Sequence, residues 1–244
     1  MTLSRDARHL ALPQVGAEGQ RRISEGKVLL IGVGGIGCAA AAYLASSGVG
    51  ELTVCDFDTV DETNLGRQVL YAKGHIGELK ADVAATRLRK INPGIKVTAI
   101  SERLTGTALA EAVSAADVVL DGSDNFPTRF QVNEACVRMS RRLVSGSAIR
   151  FEGQLAVFGP DFSASPCFEC LYVAADESLG SCAGNGVLAP VPGVIGTMMA
   201  VEALKYRAGI GSPAPLLRLF DATASELRRL GISKRGDCPV CEHA

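Results

Sequence analysis

The chain has 244 residues, 47% of them hydrophobic, and a formal net charge of −1. Its length suits one large α/β domain or two small ones. The near-neutral charge, without basic or acidic blocks, argues against electrostatic binding to nucleic acid or membrane lipid. The first residues, MTLSRDARHL, lack the apolar core of a signal peptide. We therefore expect a cytoplasmic protein whose eight cysteines are reduced.

The predicted elements begin with a charged helix near Gly16–Glu25, after which strands alternate with helices. Strands are predicted at Val28–Gly32, Glu51–Asp56, Lys96–Ser101, Val118–Asp121, Leu143–Gly146 and Gln154–Phe158. Helices are predicted between the first five strands, near Cys38–Ser47, Lys80–Lys90, Ala108–Ala115 and Thr128–Met139. This alternation indicates a parallel sheet with right-handed crossovers.

After Phe158 the alternation gives way to a stretch rich in proline, cysteine and glycine. An apolar helix is predicted at about Pro192–Ala208, and two short strands follow near Leu216–Asp221 and Ser225–Leu230. Because no long linker interrupts the sequence, we expect a single domain.

The uncharged stretch Val28–Gly50 has 23 residues, which is long enough to span a bilayer. Its six glycines, four of them in the run GVGGIG, instead predict a strand, a tight turn and a buried helix. Gly32, Gly34 and Gly37 match G-x-G-x-x-G, whose glycines allow close backbone approach to a phosphate. Asp56 ends the next strand, where a carboxylate can bind ribose hydroxyls. These features indicate an adenine nucleotide, of which NAD is the commonest.

The charged residues after Asp56 favour ATP over NAD. Asn64, Arg67 and Lys80 follow the second predicted strand, and Asp124 follows the fourth. The carboxyl ends of parallel strands meet at one edge of a sheet, where ligands bind. There Arg67 and Lys80 can clamp a triphosphate, while Asp124 can hold the Mg²⁺ that bridges it. Hydride transfer requires no such set, whereas attack on phosphorus does.

Two cysteine pairs have the spacing of zinc ligands. They are C-F-E-C at Cys167 and Cys170, and C-P-V-C at Cys238 and Cys241. A single C-x-x-C can be a redox pair or a chance occurrence. Two pairs supply the four thiolates of a structural Zn²⁺ site, which here would tie the C-terminal tail to the body of the protein.

Together these motifs resemble the ThiF/MoeB/HesA family, bacterial relatives of the ubiquitin-activating enzymes. The resemblance spans nearly the whole chain. It is carried by R-H-L at residues 8–10, the glycine loop, D-F-D, N-L-x-R-Q, the Lys80 helix, S-D-N-F-P-T-R, F-E-G-Q, both cysteine pairs and P-G-V-I-G. It implies ATP-dependent adenylation of the C-terminal glycine of a small ubiquitin-like sulfur carrier, with release of pyrophosphate. The implied partners are a MoaD-like or ThiS-like carrier ending in Gly-Gly and a separate sulfur donor, for molybdopterin or thiamine synthesis.

The resemblance also implies a fold. We expect a Rossmann-like, mostly parallel sheet with helices on both faces, extended by C-terminal antiparallel strands and a structural zinc site. Residues 1–26 are expected to form an N-terminal helical segment, residues 27–150 the nucleotide-binding core, and residues 151–244 the carrier-binding and zinc region.

Roles for individual residues follow from matching positions. The phosphates are assigned to Gly35, Asn64, Arg67 and Lys80, the ribose to Asp56, the Mg²⁺ to Asp124, and the zinc to Cys167, Cys170, Cys238 and Cys241. Arg8 matches an arginine that family dimers insert into the neighbouring subunit's ATP site. A homodimer is therefore implied.

Cys182 matches a cysteine that links covalently to the carrier in some members. Its surroundings, S-C-A-G-N-G-V, have Gly184 and Asn185 where many relatives have Glu-Ala. A covalent intermediate and a buried structural thiol therefore both stay open. Gly66 is a second departure from the family pattern, because the family commonly has glutamine at this position of N-L-x-R-Q.

Two other classes of function stay open. An NAD-dependent oxidoreductase explains the glycine loop and Asp56, but not the charged residues and the cysteine pairs. An inactive zinc-containing interaction scaffold explains the cysteines, but not the persistence of the charged site. The sequence has features similar to both molybdopterin-type and thiamine-type members, so it does not identify the carrier.

Overall fold

A computed structural model of the chain describes residues 5–173, 186–211 and 214–242. Within these ranges eight strands form a single sheet. The strands are β1 (Lys27–Ile31), β2 (Glu51–Cys55), β3 (Lys96–Ile100), β4 (Val118–Asp121), β5 (Arg142–Ile149), β6 (Glu152–Phe158), β7 (Leu216–Asp221) and β8 (Glu226–Leu230). Their order across the sheet is β3-β2-β1-β4-β5-β6-β7-β8.

Eight α-helices lie in the described ranges. They are α1 (Ala7–Leu10), α2 (Gly16–Ser24), α3 (Gly35–Ser46), α4 (Lys80–Ile91), α5 (Gly106–Ala115), α6 (Phe126–Arg138), α7 (Phe168–Leu171) and α8 (Pro190–Ala208). Two 3-10 turns, Glu62–Asn64 and Lys73–His75, lie between β2 and α4.

The sheet is parallel from β3 to β5 and antiparallel from β5 to β8. Strand β1 pairs with β2 on one side and with β4 on the other, so that Leu30 lies between Val54 and Leu120. From β1 the chain adds β2 and then β3 towards one edge of the sheet. From β4 it adds the remaining strands towards the other edge. A crevice opens at such a switch point beyond the carboxyl ends of the strands.

The core has two halves because β1 alternates its side chains between the two faces of the sheet. Val28 and Leu30 pack in the cluster formed with α3, α4 and α8. Leu29 and Ile31 pack in the cluster formed with α5 and α6. The predicted fold class, including helices on both faces and antiparallel C-terminal strands, is confirmed.

Several boundaries differ from the prediction. Helix α6 begins at Phe126 rather than Thr128, because Asn125 caps it by accepting the N–H of Thr128 at 3.0 Å. Strand β5 continues to Ile149 because it pairs with β6 along its whole length. The short helices α1 and α7 were not predicted.

The uncharged stretch Val28–Gly50 is divided between β1, the glycine loop and α3, as predicted. Among the described helices, none has the length and hydropathy needed to span a bilayer.

Candidate active site and metal centre

A cavity of about 400 Å³ lies beyond the carboxyl ends of β1, β2 and β4. It brings together most of the residues predicted to bind nucleotide. The predicted residues that line it are Gly32, Gly34, Gly35, Asp56, Asn64, Arg67, Lys80 and Asp124. Such a cavity at the switch point of an α/β sheet is the usual place for a nucleotide.

Close backbone packing shapes the glycine loop between β1 and α3. Gly32 has a φ of +82°, and a side chain there would also press against the backbone of Gly122 beyond β4. Gly37 does not line the cavity, because it packs against the carbonyl of Gly32, where a Cβ atom would clash. Tyr71 donates a hydrogen bond from its hydroxyl to the carbonyl of Val33 at 2.8 Å. These contacts fix the backbone of the loop, and Gly32, Gly34 and Gly35 line the cavity just before and at the start of α3.

Asp56 is 9% exposed and is fixed by backbone donors on both carboxylate oxygens. Oδ2 accepts the N–H of Val33 at 2.8 Å, and Oδ1 accepts the N–H of Asp58 at 3.0 Å. Burial raises the pKa of Asp56, while the N–H of Val33 and the charge of Lys80 oppose this rise. Each oxygen has a further lone pair for a ligand hydroxyl.

Two cations and an amide also line the cavity. Asn64 uses its side-chain oxygen to accept the N–H of Asp61 at 3.1 Å, so the amide nitrogen is the group that it can offer. Arg67 donates from Nη1 to the carbonyl of Thr63 at 2.9 Å. Lys80 is buried, and its Nζ lies 3.0 Å from Oδ2 of Asp58. Asp58 lines the cavity and was not among the predicted site residues.

Asp124 is exposed on the loop between β4 and α6, and buried polar neighbours hold that loop. Asp121, which is fully buried, accepts the N–H of Ser123 at 3.0 Å. Arg129 is 6% exposed and donates to the carbonyl of Ser123 at 2.7 Å. Burial raises the pKa of Asp121, and the nearby charge of Arg129 opposes this. The loop thus presents the Asp124 carboxylate from a fixed backbone.

The four predicted zinc ligands meet in one cluster. The Sγ atoms of Cys167, Cys170, Cys238 and Cys241 all lie within 4.8 Å of one another. The Sγ atoms of Cys167 and Cys238 are 3.6 Å apart, and those of Cys170 and Cys241 are 3.5 Å apart. A tetrahedron with Zn–S bonds of about 2.3 Å has S···S edges of about 3.8 Å. The cluster therefore fits a Zn²⁺ ion, and none of its thiols forms a disulfide.

Hydrogen-bond donors surround the sulfur cluster. Asn133 on α6 donates from Nδ2 to Sγ of Cys167 at 3.6 Å. The backbone N–H of Arg235 donates to Sγ of Cys170 at 3.4 Å. Such donors favour thiolates and orient them for a metal. Cys38, Cys55 and Cys136 are buried in the hydrophobic core and do not belong to this cluster.

Comparison with known proteins decides the family, because residues 7–240 match the ThiF family. The chain belongs to the ThiF family. It is 44% identical to the sulfur carrier protein ThiS adenylyltransferase of Escherichia coli K12, a match that covers 97% of this chain and 94% of the relative. It is 43% identical to the sulfur carrier protein adenylyltransferase of Thermus thermophilus, covering 98% of this chain and 90% of the relative.

Longer relatives and solved structures complete the comparison. The adenylyltransferase and sulfurtransferase MOCS3 of Sus scrofa is 42% identical over 97% of this chain, which spans 52% of that relative. The crystal structure of E. coli MccB with ATP superposes with a TM-score of 0.83 over 99% of this chain and 75% of that chain. At 24% identity this likeness shows the fold alone.

Of the remaining predicted site residues of this ThiF family member, the structure describes Arg8 but not Cys182. Arg8 is exposed on α1 and is not among the residues that line its own chain's cavity. Cys182 lies outside the described residues.

Proposed function

We propose that the chain adenylates the C-terminal glycine of a ubiquitin-like sulfur-carrier protein, using ATP and releasing pyrophosphate. The observation that carries this proposal is the joint lining of one cavity by a glycine loop, the Asp56 carboxylate, Lys80 and Arg67, and Asp124. The ThiS adenylyltransferase and the Thermus relative are named for this activity on sulfur carriers. We take the carrier's own terminus to be Gly-Gly and its sulfur donor to be a separate protein.

The proposed nucleotide position follows from the chemistry of the cavity wall. The ribose hydroxyls donate to the oxygens of Asp56, whose other contacts already fix its orientation. The triphosphate lies against Gly35 and the start of α3, where the unpaired N–H groups of the first helical turn attract anions. Asn64, Arg67 and Lys80 contribute the remaining donors.

Lys80 changes partner in this proposal. Its ammonium group is paired with Asp58, a carboxylate that is 53% exposed at the cavity. A bound phosphate competes for the same ammonium donors with a larger negative charge. Lys80 is therefore held in place by Asp58 before the nucleotide arrives.

The reaction needs no nucleophile from this chain. An oxygen of the carrier's terminal carboxylate forms a bond to the α-phosphorus, and the bond from that phosphorus to the bridging oxygen breaks as pyrophosphate leaves with the electron pair. Asp124 is the residue that would hold Mg²⁺, which supplies charge neutralisation on the phosphates when bound. The chain's own contribution is to position the phosphates and to neutralise their charge.

The remaining assignments belong to the same proposal. Residues 1–26 form a helical segment, residues 27–150 bind nucleotide, and residues 151–244 bind the carrier and Zn²⁺. Four thiolates close the coordination shell of that ion, so its role is structural. The working form is a homodimer in which Arg8 reaches the partner's site.

Carrier-dependent ATP–pyrophosphate exchange tests the function directly. The purified protein is mixed with MoaD-like and ThiS-like carriers ending in Gly-Gly, together with ATP, Mg²⁺ and labelled pyrophosphate. Exchange is expected with a matching carrier, and it is expected to vanish when that carrier lacks its last glycine. Exchange that is equally fast without any carrier, or a protein that binds NADH but not ATP, would contradict the proposal.

A further inference from the structure

One end of the nucleotide cavity is apolar, and the phosphate-binding residues do not account for it. Its wall is built from Ile31, Cys55, Leu104, Leu109 and Val132. All five belong to the hydrophobic cluster on the α5–α6 side of the sheet, four as buried members and Leu104 packed against it. This end therefore offers apolar side-chain atoms to a flat, apolar part of a ligand.

The polar end lies on the opposite side of the sheet. Gly35 begins α3, and a side chain there would meet Pro192 on α8 at 3.0 Å and Arg67 at 3.5 Å. Asp56 stands between the two ends, since it directly follows Cys55 at the end of β2. A nucleotide with its ribose at Asp56 and its phosphates at Gly35 must direct its base towards the apolar end.

A stacked pair of side chains, Arg103 and Phe57, also lines the cavity. The guanidinium carbon of Arg103 lies 3.9 Å from the ring centroid of Phe57, and both side chains line the cavity. Phe57 follows Asp56 directly, and Arg103 lies just beyond β3. The aromatic ring thus holds a planar cation beside the place where the base must lie.

We propose that Arg103 binds the purine base by stacking its guanidinium plane on the base, with Phe57 supporting it from behind. This inference rests on the proposed function, because the base position follows from the ribose and phosphate assignments. Stacking of a base on an aromatic ring or a guanidinium group is a common mode of nucleotide recognition. The apolar residues cover the base from the side of α5 and α6. Arg103 is thus a determinant of affinity for the base, and not a phosphate ligand.

Substitution of Arg103 separates stacking from charge. Binding of a non-hydrolysable ATP analogue with Mg²⁺ is measured by calorimetry for wild type, Arg103→Ala, Arg103→Lys and Arg87→Ala. Arg87 is the matched control, because it is exposed on α4 and is not among the cavity-lining residues. Lysine keeps the positive charge but lacks the planar group that stacks.

Arg103→Ala and Arg103→Lys are both expected to weaken binding about tenfold, at the lower end of what loss of one stacking partner costs. Arg87→Ala is expected to bind like wild type. An Arg103→Lys protein with wild-type affinity would show that charge alone matters, and would overturn the inference. So would an Arg103→Ala protein within about twofold of wild type. If wild type itself fails to bind the analogue, the proposed function falls as well, so the two failures are distinguishable.

Discussion

Asp124 is an exposed carboxylate whose position depends on buried neighbours. Its loop is fixed through Ser123, which Asp121 and Arg129 hold from both sides. Asp124→Ala is therefore expected to leave the fold intact while it abolishes carrier-dependent ATP–pyrophosphate exchange. Loss of one group that stabilises charge at such a centre commonly costs ~10²–10³ in rate. Exchange assays and thermal melting measure the two effects, and exchange near the wild-type rate would disprove the assignment.

Two glycines near the cavity should respond in opposite ways to alanine. A Cβ atom on Gly37 clashes with the carbonyl of Gly32, whereas a Cβ atom on Gly66 meets nothing within 4 Å. Gly37→Ala is expected to lower the free energy of unfolding by about 1–3 kcal/mol and to weaken ATP binding, because the backbone must shift. Gly66→Ala, at a position where the family commonly has glutamine, is expected to be neutral within about 0.5 kcal/mol. Chemical denaturation and calorimetry measure both. Equal stabilities for the two variants would contradict the packing argument.

The candidate site was predictable where a residue's role depends on its place at a strand end. Asp56 directly follows β2, and Asp124 lies on the loop just beyond β4, so the strand pattern alone brings them to one edge of the sheet. Asp58 and Arg103 were not predicted, because their contacts are tertiary. Asp58 meets Lys80 through the isolated bridge between residues 59 and 79, and Arg103 meets Phe57 across two strand ends. Spacing along the sequence carries no sign of either pair.

The hydrophobic pattern of the sequence predicted the long helices of this fold, but it did not predict the two short ones. The predicted α8 began at Pro192, and the helix begins at Pro190, two residues earlier. Helices α1 and α7 have four residues each, too few to show a period of about 3.6. The position of α7 depends instead on the cysteine cluster, because its first turn begins directly after Cys167.

The cysteine cluster joins α7 to the C-terminal tail, and this link can be tested by removing one ligand. Cys241→Ser is expected to lower the zinc content from about one ion per chain and to reduce the melting temperature. The loss of metal should destabilise the tail more than it alters the phosphate site, because binding energy at a structural site contributes to folding. Elemental analysis, melting and ATP binding provide the three measurements. Cys136→Ser, a buried cysteine outside the cluster, is the matched control for zinc content.

Absence of zinc from wild-type protein purified without chelator would contradict the assignment. A disulfide within either pair would do so as well. Retention of full zinc content in Cys241→Ser would show that this cysteine is not a ligand.

For the molecule as a whole, the strand order explains why residues far apart in sequence share one cavity. Strand β1 stands in the middle of the parallel part of the sheet, with β2 and β4 beside it. The sequence predicted parallel strands, but their order depends on which strands pair, and local patterns do not specify that. The antiparallel strands β6, β7 and β8 then extend the same sheet beyond β5, on the side away from β1 and β2.

The N-terminal segment suggests how two chains could share their sites. Leu10 and Leu12 are 43% and 48% exposed, and Arg8 lies beside them on α1 without lining its own cavity. Exposed apolar residues next to an arginine are suited to a protein interface. An arginine supplied by a second subunit can neutralise phosphate charge in the transition state. We therefore predict that Arg8 acts across the interface of a homodimer.

Mixing two inactive variants tests this arrangement. Arg8→Ala and Asp124→Ala proteins are each expected to be inactive in carrier-dependent exchange, since every site then lacks one of its two required groups. In a mixed dimer, one site combines an intact Asp124 with an intact Arg8 from the partner, while the other site lacks both. Partial recovery of exchange is therefore expected once subunits have been exchanged, which tagged chains and co-purification can verify. No recovery in verified mixed dimers would show that Arg8 does not act in the partner's site, and a monomer that is fully active would remove the need for it.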